Sequence, residues 1–364
     1  MSATGRPGQT GVTGPQTTAS GPSASGPSRS RFLPVALCCI TIILDGYDLI
    51  VYGTVVPTLV GGGAEWKLSA AEAGRIGSYA LIGMLIGALI IGTVTDLVGR
   101  RRILMTCVAW FSTAMLLAAA APTPELFGLT RFIAGIGLGG VVPTAIALTV
   151  EYAHPRQRNV TNAIMFSGYS IGGIIAALLA IWVIPELGWR AMFVIGGVLG
   201  VALLPVMWLK LPESASYLLS HNRRKEAEEL AARFGLDLEE AEREDRSAKP
   251  GALDGLRALF ARRFVGGTLL FWAGTALGLL LIYGLNTWLA QIMRQAGYEL
   301  GSALAFLLVL NLGAIIGTPL LGNVADRLGA KKVSSGMFLT AAICIWLISF
   351  NFPSLVLYAL IAVA

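Results

Sequence analysis

The sequence predicts an all-α polytopic membrane protein built from two similar six-helix halves, the second of them incomplete. Three observations carry this reading. Hydrophobic residues make up 55% of the 364 residues and charged residues only 13%, with a mean hydropathy of +0.71; a soluble domain carries about 25% charge. Apolar stretches near or above the roughly 20 residues that cross a bilayer recur along the chain. One pattern also occurs twice, 230 residues apart: Gly83, Gly87, Gly92, Asp96 and Gly99 return as Gly313, Gly317, Gly322, Asp326 and Gly329. In each copy it begins inside an apolar helix and runs off its end into a basic cluster. An offset this long implies two large similar halves rather than a solenoid.

Residues 1–31 are mostly Gly, Pro, Ser and Thr. They hold too little apolar surface to form a core, and disorder is expected there. They are no signal peptide, because the apolar stretch that follows is long enough to span. Spanning helices are then expected at 33–59, 74–95, 103–121, 125–150, 160–184 and 190–211, which together form an N-terminal six-helix bundle over 32–211. A linker over 212–264 holds Arg223, Arg224 and Lys225 and then a mixed-charge stretch from Glu226 to Glu244; it reads as a solvated amphipathic connector. A partial C-terminal bundle over 265–364 has spans at 265–291, 300–322 and 332–350, and a tenth begins near Pro353. About nine and a half helices are present. Leu211 ends the sixth span, so the 230-residue offset puts its counterpart near residue 441, and the chain reads as a C-terminally truncated version of a twelve-helix protein.

The net charge of +6 belongs to this topology and not to a nucleic-acid surface. Arg100, Arg101 and Arg102, then Arg156 and Arg158, then Arg327, Lys331 and Lys332 sit in the even-numbered loops. The odd-numbered loops and their edges carry only Lys67, Arg75, Arg190 and Arg294. The positive-inside rule makes the N-terminus and the linker cytoplasmic. The four cysteines fall in apolar spans and read as small packing residues. His154 and His221 lie in loops, with no acid–histidine–nucleophile arrangement in view. No phosphate-binding loop or metal cluster is apparent, so no cofactor, no metal and no enzymatic activity are expected.

Three ionisable residues lie deep in the spans. Asp45 and Asp48 stand in the middle of the first, and Arg131 in the fourth. Each costs about 2.5–3.5 kcal/mol on insertion scales, which marks them as functional candidates. The acids are three apart and share a helix face. At the helical rise, Asp45 lies about 20 Å from the inner end of its helix and Arg131 about 9 Å from the outer end of its own. Arg131 is therefore expected to approach the two acids across a central cavity. Positions 275 and 361, which the offset matches to Asp45 and Arg131, are Thr and Ile, so the charges belong to the first half. A buried carboxyl beside an arginine suits proton exchange, and the arginine suits an anionic substrate. The glycine pairs at 83 and 87, 135 and 139, 168 and 172, and 313 and 317 read as packing devices.

The run from Gly92 to Arg102 resembles the loop between the second and third helices of the major facilitator superfamily. That resemblance makes Gly92, Asp96, Gly99, Arg100 and Arg101, with Gly322, Asp326, Arg327 and Gly329, a pair of cytoplasmic gating loops. Gly92 would allow close helix approach, Asp96 would cap or pair, and Gly99 would turn the chain. Leu97 departs from the pattern where a basic residue is common; Arg327 fills that place in the second copy. The Asp45-Gly46-Tyr47-Asp48 run, the segment RFIAGIGLGG from Arg131 and the LPES segment at 211–214 are similar to those of the aromatic acid:proton symporters within the superfamily. The resemblance implies a proton-coupled symporter of the cytoplasmic (inner) membrane that imports a benzoate-like acid, probed through Asp45, Asp48 and Arg131. The partners it implies are a small aromatic acid, a proton and the lipid bilayer, in a protein working as a monomer. Tyr283, Asn286, Trp288 and Asn311 are candidate substrate contacts. LPES also occurs in sugar-porter relatives, so a sugar or a non-aromatic organic acid is the alternative cargo, and a truncated, non-transporting remnant is a third reading.

Overall fold

A computed structural model describes residues 29–61, 65–154, 157–236, 238, 259–261, 263–350 and 352–364; most of the segment expected to be disordered, 1–28, lies outside this set. Among the described residues nine helices are long and apolar enough to cross a membrane. In lipid the backbone must satisfy its own hydrogen bonds, and helices do this within each segment. The first half comprises α1 (Arg29–Val60), α2 (Ala70–Val98), α3 (Arg100–Ala119), α4 (Pro124–Tyr152), α5 (Arg158–Leu187) and α6 (Trp189–Lys210). Two short helices follow, α7 (Ala215–Ser220) and α8 (Arg224–Phe234). The second half comprises α9 (Val265–Gln295), α10 (Leu300–Leu328), α11 (Ala330–Ile348) and α12 (Ser354–Val363).

Helix ends move by a few residues from the apolar limits wherever a cap extends them. α2 starts at Ala70 rather than 74 because Ser69 closes a capping box: its hydroxyl accepts from the Glu72 amide at 3.2 Å, and the Glu72 carboxylate accepts from the Ser69 amide at 2.9 Å. α4 starts at Pro124 behind Thr123, whose hydroxyl accepts from the Leu126 amide. Polar residues beyond the apolar window thus add turns that hydropathy does not see.

Within the first half α2 lies along α4, α1 along α5, and α3 against α4 and α6. The contacts are backbone on backbone. A Cβ added at Gly83 would stand 2.2 Å from the Phe132 carbonyl oxygen, and one at Gly87 2.1 Å from that of Ile136. Gly135, Gly139 and Gly172 are equally tight against Ala80, Met84 and Ile43. The second half repeats the arrangement at the same offset. A Cβ at Gly313 would stand 2.1 Å from the carbonyl oxygen of Ala362, and 313 and 362 are 83 and 132 shifted by 230. Gly317 departs from the packing expectation, since only Leu321 of its own helix comes near.

The two halves meet through α1 against α9 and α5 against α10. At this contact Gly53 packs on the Asn286 carbonyl and Gly173 on the Asn311 side chain. Gly53 lies toward the end of α1 remote from the arginine run at 100–102. α9 is exposed along its length: Leu270 is 77% and Leu280 69% exposed, and Gly266, Gly267, Gly274 and Gly284 have no described neighbour within 4 Å.

The linker begins differently from a solvated connector. α8 turns back beneath the arginine-rich end and buries Ala227, Ala231 and Phe234. Phe234 meets Tyr152 edge-on at 5.3 Å, and the Arg31 side chain donates to the Phe234 carbonyl. The helix breaks at Gly235, whose φ of 63° is left-handed; most of the stretch from 237 to 258 lies outside the described residues.

These contacts predict opposite effects of one substitution at two glycines. Gly83→Ala forces α2 from α4 and is expected to cost roughly 1–3 kcal/mol. Gly92→Ala, with nothing within 4 Å, should be neutral or slightly stabilising because alanine favours the helix. Thermal unfolding of the detergent-solubilised chain, followed by tryptophan fluorescence, checks both; equal losses at the two positions would contradict the packing described.

Candidate functional site

α1 passes through the centre of the first half, and its run of Asp45 to Asp48 is held from three sides. Gly46 lets α5 come so close that a Cβ there would stand 2.3 Å from the Tyr169 carbonyl oxygen. The Tyr47 hydroxyl donates to the Met192 carbonyl of α6 at 2.8 Å. On the α4 side Arg131 Nη1 donates to Asp48 Oδ1 at 2.6 Å, and Nη2 to the Asp48 carbonyl at 3.2 Å. Both side chains of this pair are shut away, at 2% and 0% exposure. The guanidinium also lies 5.8 Å and 5.7 Å from the ring centroids of Tyr52 and Phe193, within cation–π range.

Arg131 thus meets one acid and not both, and by direct contact between neighbouring helices rather than across a cavity. Three residues along a helix displace Asp48 from Asp45 by about 4.5 Å and turn it aside, so Asp48 faces α4 while Asp45 does not. Both oxygens of Asp45 are buried with no hydrogen-bond partner, as is the Tyr169 hydroxyl. Tyr169 and Tyr283 are both within electrostatic reach of the Asp45 carboxyl.

A cavity of about 600 Å³ opens beside the ion pair, between α1, α2, α4 and α9. Arg131, Tyr52, Ser78, Tyr283, Thr287 and Trp288 line it. Tyr52 is fixed by donating to the Ala73 carbonyl at 2.6 Å. Of the four second-half residues singled out from the sequence, Tyr283 and Trp288 reach this cavity. Asn286 and Asn311 instead hold each other: Asn311 Nδ2 donates to Asn286 Oδ1 at 3.1 Å. Each amide also donates to a carbonyl one turn back in its own helix. Tyr52 was missed, though its position four residues after Asp48 on the same helix face was a usable signal. Tyr169 had none, since nothing in SGYSIGG distinguishes a core tyrosine from a site tyrosine.

At the arginine-rich end the loop between α2 and α3 is bonded to α4, α6 and the start of the linker. Gly99 makes the turn at φ 105°, a conformation that favours glycine. Arg100 pairs with Glu151 of α4 at 2.8 Å, and the Ser214 hydroxyl donates to the same Glu151 oxygen at 2.7 Å. The Arg101 amide donates to Glu213 Oε1 at 2.9 Å. Arg101 Nη2 donates to the Trp208 carbonyl at 2.5 Å. Gly92 does not meet another helix: neither it nor Gly322 has a described neighbour within 4 Å of an added Cβ. Gly329 repeats the turn at φ 90°, and Arg327 is exposed. The side chains of Asp96 and Asp326 lie outside the described residues.

Comparison with known proteins gives one family. Residues 38–364 match the model of the Major Facilitator Superfamily. The benzoate transport protein of Acinetobacter baylyi is 38% identical over 342 residues, covering 91% of this chain and 72% of the relative. The gentisate transporter of Corynebacterium glutamicum is 39% identical, over 84% of this chain and 63% of its own length. The 4-hydroxybenzoate transporter PcaK of A. baylyi is 30% identical, over 87% and 70%. Among solved structures, the xylose transporter XylE from E. coli in a partially occluded inward-open conformation superposes with a TM-score of 0.69. It shares 17% identity over 92% of this chain and 81% of that one, a likeness of fold alone. With the family matched over residues 38–364 and the helices arranged accordingly, the chain belongs to the Major Facilitator Superfamily, a family of membrane transporters and not of enzymes.

Proposed function

We propose that this chain is a proton-coupled carrier of an aromatic carboxylic acid, with its N-terminus and arginine-rich end in the cytoplasm of a cell whose inner membrane it spans. The single observation that carries the substrate class is the cavity, where one buried cation, Arg131, stands among Tyr52, Tyr283 and Trp288. A ring stacks on such faces and its carboxylate seeks the guanidinium. The named cargoes of the relatives, benzoate, gentisate and 4-hydroxybenzoate, are aromatic acids of this kind. The cavity volume suits a ligand of that size.

The two acids take different parts in this reading. Asp48 is committed to Arg131 and sets the guanidinium. Asp45 has neither cation nor donor, and a bare buried carboxylate is costly. A carboxyl that takes a proton when enclosed and yields it when water reaches it turns that cost into coupling. Arg100 and Arg101, bonded to α4, α6 and the start of the linker rather than to the second half, would be the released form of the gating loops. A monomer has all of these parts.

Cells expressing the chain are expected to accumulate radiolabelled benzoate or 4-hydroxybenzoate, and a protonophore should abolish the accumulation. Failure of both acids to exceed vector background would sink the assignment for this chain. Asp45→Asn should abolish uphill accumulation while leaving exchange of labelled for unlabelled acid in proteoliposomes; unchanged accumulation would remove Asp45 from the coupling.

Breaking the buried pair on one side should be worse than removing it. Arg131→Met leaves the Asp48 charge unpaired, at a cost of about 3–5 kcal/mol. Adding Asp48→Asn to it should recover much of the melting temperature but not of the substrate binding. Additive losses in the double variant would show that the two residues do not act as a pair.

A further inference from the structure

A second cavity lies outside the transport path, at the arginine-rich end, where α3 begins, α6 ends and α8 folds beneath them. Its volume is about 560 Å³. Arg101, Arg102, Lys210, Arg223 and Arg233 line it, with Glu213, Glu226 and Glu229 as the acids. Two of those acids are already engaged. Glu213 accepts from the amides of Arg101 and Ser214. Glu226 is paired with Arg223 at 2.6 Å, which holds its carboxyl below the usual range. Arg223 and Glu226 cancel, and five cations against three acids leave the lining positive; Arg101 and Arg102 stand in the first turn of α3, where the helix dipole adds to them. Arg101 Nε is shut from solvent with no hydrogen-bond partner, a donor left unmatched by the protein around it.

The surroundings say what kind of anion would enter. Apolar side chains flank this basic cluster at the boundary of the spans. Trp208 and Leu209 on α6 are 67% and 76% exposed, and Phe32 on α1 is 75% exposed; Leu33 lines the cavity itself. Exposed apolar surface running directly into a cluster of cations is the arrangement that suits a lipid, acyl chains on the one and phosphate on the other. A soluble anion would gain nothing from the apolar part.

We propose that the cavity between α3, α6 and α8 binds the phosphate of an anionic phospholipid, with Arg102 and Lys210 as its main contacts and the acyl chains along Trp208 and Leu209. Because α8 closes one side of the cavity, an occupied site joins the linker to the first half through the lipid. This site is independent of the aromatic-acid reading.

The test uses the full chain purified in neutral detergent. Native mass spectrometry and thermal unfolding follow titration with dioleoylphosphatidylglycerol, dioleoylphosphatidylcholine or sodium phosphate. One phosphatidylglycerol is expected to be retained and to raise the melting temperature, and phosphatidylcholine is not. The double variant Arg102→Gln with Lys210→Gln should bind phosphatidylglycerol about thirtyfold more weakly, the combined pull of two interfacial cations. Lys331→Gln with Lys332→Gln, the same loss of charge at the other gating loop, should not. Melting without lipid checks that each variant is folded, and the single Lys210→Gln variant reads the same loss at smaller size. Equal binding of the two lipids, or equal losses in both double variants, would overturn the proposal. Displacement of the lipid by phosphate at equal concentration would assign the cavity to a soluble anion and overturn it as well.

Discussion

Everything in the first half depends on how closely its helices approach. In a bilayer, lipid tails are as apolar as leucine, so burial supplies little force between helices and van der Waals contact must supply more of it. Here glycines bring carbonyls and Cα atoms of neighbouring helices to distances that a single methyl group would forbid. The contacts at Gly83, Gly87, Gly135 and Gly139 join α2 to α4, and those at Gly46 and Gly172 join α1 to α5. Between these two pairs of helices the positions of Asp45, Asp48 and Arg131 leave little freedom.

That rigidity explains why a buried ion pair is tolerated. Two charges taken out of water are stable only if their geometry is good and their remaining hydrogen bonds are met. Arg131 gives Asp48 both a side-chain and a backbone contact and rests near two aromatic faces. The pair is nevertheless incompletely satisfied: Asp48 Oδ2 and Arg131 Nε have no hydrogen-bond partner, and neither do the Asp45 carboxyl and the Tyr169 hydroxyl. Of these groups Arg131 lines the cavity, where it keeps a donor that a fully satisfied network would not offer.

The pseudo-repeat also has a division of labour. Packing is duplicated, as Gly83 with Phe132 and Gly313 with Ala362 show at the same offset. Chemistry is not: the charges sit in the first half, while the second contributes Tyr283 and Trp288 to the cavity wall and an Asn286–Asn311 clamp at the contact between halves. Two halves with the same scaffold and different contents can rock about a site that neither contains alone.

Much of this was legible in the chain itself. Hydropathy and the duplicated Gly-Asp-Gly pattern determined the order of the spans and their division into two similar halves, because a bilayer imposes length and composition on every span; which helices pair was not among them. The three buried charges announced themselves for the same reason, since nothing else places Asp45, Asp48 and Arg131 in apolar segments. What only the tertiary structure decided was direction and distance. Rotation about a helix axis selected Asp48 over Asp45 as the partner of Arg131, brought Tyr52 and Tyr169 to the site, turned Asn286 and Asn311 toward each other, and left Gly92 facing open space. The fold of α8 beneath the bundle was equally hidden, because an amphipathic helix reveals that it has an apolar face but not which surface will cover it. Spacing along a sequence sets which residues share a face; the packing of neighbouring helices sets what that face meets.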